Sequence, residues 1–124
     1  MNKTVADDPN VADSYWYLSL IYNEMGDKQK SFDELKIALA KGKGFTQVPE
    51  MTFVADSFKR FGDYENAAKY YEIALGQANN NPQILLALSE TYALTGNKEK
   101  AREMADRAGL YDADALKKAK EWLK

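Results

Sequence analysis

The sequence predicts an all-α protein, an α–α superhelix of about seven helices arranged as antiparallel pairs. Three observations predict it: a Gly-Asp or Gly-Asn corner that recurs at a near-constant period, apolar residues spaced three and four apart before each corner, and a small residue at one fixed place after it. The corners are Met25-Gly26-Asp27-Lys28-Gln29-Lys30-Ser31, Phe61-Gly62-Asp63-Tyr64-Glu65-Asn66-Ala67 and Thr95-Gly96-Asn97-Lys98-Glu99-Lys100-Ala101, whose glycines stand 36 and 34 residues apart.

Each corner reads as the end of one helix joined directly to the start of the next. Glycine takes the left-handed turn conformation without a Cβ penalty, and the Asp or Asn that follows accepts from the first free N–H groups of the new helix. Four places on, Ser31, Ala67 and Ala101 are small, which lets the two helices of a pair approach closely.

The helix before each corner carries its own stripe. In the first unit it is Tyr15, Leu18, Ser19 and Tyr22; in the second Met51, Val54, Ala55 and Phe58; in the third Leu85, Leu88, Ser89 and Tyr92. The helix after each corner repeats Ser31, Leu35, Ala38, then Ala67, Tyr71, Ala74, then Ala101, Ala105, Ala108. Spacings of three and four place each set on one helical face, the face expected to be buried.

These linked positions resemble the tetratricopeptide repeat (TPR) family, whose pattern runs W-x2-L-G-x2-Y and then A-x3-F with a period of 34. The resemblance spans residues 12 to 110. Tyr15, Met51 and Leu85 stand where the family has Trp, Ser19, Ala55 and Ser89 where it has Gly, and Ser31 where it has the first Ala. It implies three repeats, at 12–45, 48–81 and 82–111 within a segment 11–111, with Lys41-Gly42-Lys43-Gly44-Phe45 supplying the two extra residues of the first.

The ends read differently. Residues 1–10 form a polar lead in which Pro9 and Asn10 precede the first helix, and no apolar leader core stands among them. Beyond Gly109, which closes the sixth helix, Asp112 is placed to cap a seventh running from Ala113 to Leu123 within a C-terminal segment 112–124. Its apolar face, Ala115, Leu116, Ala119 and Leu123 with Trp122 beside it, reads as the cap that seals a solenoid. An array sealed at one end and open at the other predicts a C-terminal piece of a longer protein.

Composition narrows the chemistry. The chain of 124 residues is 45% hydrophobic and 29% charged, which is globular composition for one folding unit. With 17 basic and 19 acidic residues it has no charge excess that would draw it to nucleic acid or anionic lipid. Cysteine and histidine are both absent, which removes disulfides, thiolate nucleophiles, thiolate zinc sites and imidazole chemistry. There is no Gly-rich phosphate loop and no serine nucleophile elbow. Asp7-Asp8 is the densest acidic pair and reads as solvated linker, and Asn2-Lys3-Thr4 matches the glycosylation pattern by a three-residue coincidence. No enzyme activity, cofactor or metal is expected. No apolar run is long enough to span a bilayer, and the compartment is left open with the cytoplasm slightly favoured.

The resemblance implies a peptide groove lined by residues of each first helix that point away from the core set. Trp16, Leu20, Asn23, Thr52, Phe53, Asp56, Lys59, Leu86 and Glu90 are the candidates. Trp16, Leu20, Phe53 and Leu86 would be apolar anchors, with Asp56 and Glu90 facing basic groups of a partner. The family's clamp for a C-terminal carboxylate is not expected, because Trp16, Leu20, Gln83 and Ala87 stand where it needs Lys, Asn, Lys and Arg. The expected function is a protein-binding scaffold. The alternative is a self-associating or regulatory tail of a larger bacterial protein, such as a membrane-bound glycan polymerase or ligase, with the first repeat as the surface for a homo-oligomer.

Overall fold

The structure, a computed structural model, describes residues 9–123. Asn2-Lys3-Thr4 and Asp7-Asp8 lie outside the described residues. Among the described residues seven helices follow one another in chain order: α1 Pro9–Glu24, α2 Lys28–Ala40, α3 Val48–Arg60, α4 Tyr64–Gln77, α5 Pro82–Leu94, α6 Lys98–Gly109 and α7 Ala113–Ala119. No strand occurs among the described residues, so the fold is the all-α helical repeat that the period of the corners predicts. The chain divides into two compact units, one ending at Phe45 and one beginning at Thr46.

The three corners are built alike. Gly26, Gly62 and Gly96 have φ of 84, 84 and 90°, the left-handed region that disfavours any side chain. Asp27, Asp63 and Asn97 then donate their N–H back to the carbonyls of Tyr22, Phe58 and Tyr92, each at 2.9 Å, closing the helix that ends. The same three side chains accept from the N–H of Lys30, Asn66 and Lys100 at 3.0, 3.2 and 3.1 Å, opening the helix that begins. Two adjacent residues thus satisfy the polar groups of two helix ends, which is why so short a corner suffices.

In the first unit α1 packs on α2. Ser19 and Ser31 are the small residues at the crossing, and Ser19 Oγ donates to the Ser31 carbonyl at 2.7 Å. The buried face of α1 is Ala12, Trp16 and Ser19, against Phe32, Leu35 and Ala38 of α2. This corrects the sequence reading of α1, which put Leu18 inside and Trp16 outside. Leu18 is 38% exposed, Tyr15 and Tyr22 are half-buried, and Trp16 is 5% exposed. The cause is the loop after α2: Phe45 meets the Trp16 ring edge-on at 4.8 Å, and Lys43 pairs with Asp13 at 2.9 Å while lying over the Phe45 ring. The loop of residues 41–45, which holds the two extra residues of the first repeat, therefore folds back and covers the indole.

The second unit follows the sequence stripes more closely. Met51, Val54, Ala55 and Phe58 of α3, Ala67, Tyr71 and Ala74 of α4, Leu85, Leu88, Ser89 and Tyr92 of α5, and Ala101, Ala105 and Ala108 of α6 are all buried. Helix α5 is the centre of this unit, packed against α4, α6 and α7. Ser89 repeats the device of Ser19: its Oγ donates to the Ala101 carbonyl at 2.6 Å. A serine where a glycine would serve packing alone thus ties the two helices of a pair together at their tightest crossing.

Three boundaries differ from expectation. Helix α1 takes in Pro9 and Asn10, since proline suits a first turn whose N–H groups are unpaired anyway. Gly109 is the last residue of α6 and is absent from the positive-φ glycines, so it does not close the helix by a left-handed turn. Its lack of a Cβ is used for packing, because a methyl there would sit 2.7 Å from Leu116 Cγ. Helix α7 ends at Ala119, four residues before Leu123, which lets the chain turn so that Trp122 Nε1 donates to Ser89 Oγ at 2.7 Å. Ala115 and Ala119 are its buried residues, while Leu116 is 40% exposed.

Candidate functional site

The second unit has a cleft between α3 and α5. Pro49 at the start of α3 and Pro82 at the start of α5 both occupy first-turn positions. The α5 start is fixed further by Asn81, whose Oδ1 accepts from the N–H of Gln83 and Ile84 at 2.9 and 3.2 Å. Between these helices lies a depression of about 440 Å³, with Val48, Pro49, Ile84 and Ala87 as apolar wall and Thr52, Asp56, Asn81 and Gln83 as polar rim. Successive turns of each helix supply these groups, since three- and four-residue steps keep them on one side.

Tyr71 of α4 forms the floor. It is 2% exposed, and its hydroxyl donates to Asp56 Oδ1. Burial above all, then that hydrogen bond and the negative charges of Asp56 and Glu90, push the Tyr71 phenol far above the usual tyrosine range. It therefore stays protonated and keeps donating, holding the Asp56 carboxylate at the cleft. Tyr92 is raised in the same way, by burial first and then by its bond to Glu72, but it faces another part of the unit.

One turn further along, Lys59 of α3 and Glu90 of α5 form an ion pair across the two helices. Asp56, Lys59, Arg60, Tyr64 and Leu94 line a second depression of about 400 Å³ there, so that Asp56 borders both.

The structure thus sorts the nine sequence candidates. Thr52 and Asp56 line the cleft, and Lys59 and Glu90 pair beside it. Phe53 and Leu86 are half-buried and are not among the lining residues of the cleft. In the first unit Leu20 is half-buried, and Asn23 accepts from Lys28 Nζ at 2.6 Å. Trp16 is corrected: it is core, enclosed by Phe45, and not a solvent-facing anchor. Glu90 is corrected in part, because its carboxylate is already met by Lys59. Sequence reading missed Tyr71, Val48, Pro49, Asn81 and Ile84 as lining groups. Tyr71 was legible in principle, since a hydroxyl at a core place needs an acceptor, and Asp56 is the acceptor it finds.

The family model for the tetratricopeptide repeat matches residues 60–123, more than half of the chain. The chain belongs to the tetratricopeptide repeat family. Comparison with curated proteins returned no match. TPR repeats generally mediate protein–protein interactions, and their fold is typically a non-enzymatic scaffold. No described helix of this TPR protein is long and apolar enough to cross a membrane. Among the described residues no group of three or more Asp or Glu is arranged to hold a metal ion.

Proposed function

We propose that this TPR chain is a non-catalytic recognition scaffold whose α3/α5 cleft holds an extended segment of a partner protein. The cleft itself carries the reading: its apolar wall of Val48, Pro49, Ile84 and Ala87 stands beside side chains able to bond a peptide, Thr52, Asp56 and Gln83, on two helices that each start with a first-turn proline, the α5 start capped by Asn81 as well. Apolar contact supplies affinity and the fixed polar groups supply register. Half-buried Ala87 stands in the cleft wall, so Ala87→Arg fills the space without disturbing the core. Its expected effect is at least a tenfold loss of binding to peptides selected on the wild-type protein from a displayed random library. Stability should stay within about 0.5 kcal/mol. Fluorescence anisotropy and thermal melting check the two halves, and unchanged binding would remove the cleft from the reading.

A second reading rests on α1. Tyr17, Leu18 and Ile21 on that helix and Met25 just past its end are 61, 38, 53 and 70% exposed and lie on one side. The four residues carry no charge, so a second copy could lay its own stripe on them and bury both. Sedimentation equilibrium tests it: mass should rise with concentration in the wild type and not in Ile21→Lys.

A further inference from the structure

We infer that the segment held in the α3/α5 cleft presents a lysine or arginine side chain, anchored on Asp56; this rests on the cleft reading above. The ionisable groups that line the cleft itself point one way, with Arg60 on the adjoining depression. Tyr71 is held neutral, Lys59 and Glu90 satisfy each other, and Asp56 is the one carboxylate among the residues that line the cleft. Its Oδ1 accepts the Tyr71 hydroxyl, a neutral donor that orients the carboxylate and leaves its charge intact. No ion pair to Asp56 occurs among the described residues.

The surroundings select the shape of the cation as well as its sign. A residue that lays a hydrocarbon stem along Val48, Ile84 and Ala87 and ends in a charged head matches an apolar wall beside one carboxylate. Thr52 adds an acceptor: its Oγ1 spends its proton on the Pro49 carbonyl at 3.0 Å, which leaves lone pairs for a donor from the partner. An acidic side chain at the same place would meet Asp56 with like charge and is rejected. The floor hydroxyl makes this more than a surface aspartate, because the carboxylate is fixed before the partner arrives and need not be ordered by it.

The test selects peptides from a random nonapeptide library on the whole chain and maps the best binders by amide shifts of labelled protein. The selected peptides should share Lys or Arg at one position. Exchanging that residue for Gln should weaken binding about fivefold to tenfold on the wild type and less than twofold on Asp56→Asn, the signature of a coupled pair. Asn keeps an oxygen for the Tyr71 hydroxyl, so the floor stays bonded. Should this variant still unfold, the wild type alone decides, since added salt should weaken the Lys or Arg peptide and leave its Gln counterpart unchanged. Peptides that shift α3 and α5 without a shared basic position, a Lys-to-Gln loss that persists in Asp56→Asn, or salt effects equal for the two peptides would overturn the inference and leave the cleft reading standing. Peptides that leave α3 and α5 unshifted would overturn both.

Discussion

Trp16→Ala should destabilise the first unit by about 3–5 kcal/mol, the range for removing a buried large aromatic. Only 5% of the indole is exposed, and it lies where α1, α2 and the loop ending at Phe45 come together. Two losses add. The transfer and cavity cost of the ring falls on the buried face where α1 packs on α2. The edge-on contact with Phe45 at 4.8 Å is lost as well, a pair worth about 0.5–1.5 kcal/mol beyond its buried area. With Phe45 released, the Lys43–Asp13 bridge loses its frame, so the loop of residues 41–45 should gain hydrogen exchange before the helices do. Urea unfolding followed by far-UV circular dichroism measures the first effect. An unchanged midpoint would return Trp16 to the role of a surface anchor.

Leu88→Ala should cost a comparable amount, roughly 3–5 kcal/mol, in the second unit. Leu88 is fully buried on α5, the helix that packs against α4, α6 and α7, so the cavity opens where the most elements meet. Neighbouring positions offer little relief. Three of the four buried residues of α6, Ala101, Ala105 and Ala108, and both of α7 are alanines with no side chain to swing into a gap, which leaves Met104 as the flexible one. Leu116→Ala supplies the contrast: the same deletion at a residue 40% exposed should cost less than about 1 kcal/mol. The difference between the two variants in one urea series tests whether the buried stripe of α5 has been placed correctly.

The helical architecture was legible in the sequence because its punctuation is local. A glycine free to take positive φ, followed by a capping Asp or Asn, decides a corner within two residues, and the three copies at Gly26, Gly62 and Gly96 share one set of hydrogen bonds. What stayed hidden depends on contacts distant in the chain. Trp16 falls outside the apolar stripe of α1 and so points outward by periodicity, and only the return of Phe45, 29 positions on, turns it into core. Helix α7 ends four residues before the sequence pattern predicts, because helix propensity has no means of showing that Trp122 finds Ser89 Oγ 33 positions back. Of the site, Thr52, Asp56, Lys59 and Glu90 are implied by the family resemblance, which points to the side of each first helix that faces away from the core set. The pairing of Lys59 with Glu90 and of Tyr71 with Asp56 is not, since each joins separate helices.

The most direct test of recognition in the α3/α5 cleft is photo-crosslinking inside the producing cell. Benzoylphenylalanine is placed at Thr52 or Gln83 on the cleft, at Ile73 on α4 away from it, and at Tyr17 on α1. The cleft reading predicts one adduct of the same mass from Thr52 and Gln83, lost when Ala87→Arg is added, and absent from Ile73 and Tyr17. Adducts confined to Tyr17, or formed equally at Ile73, would contradict it.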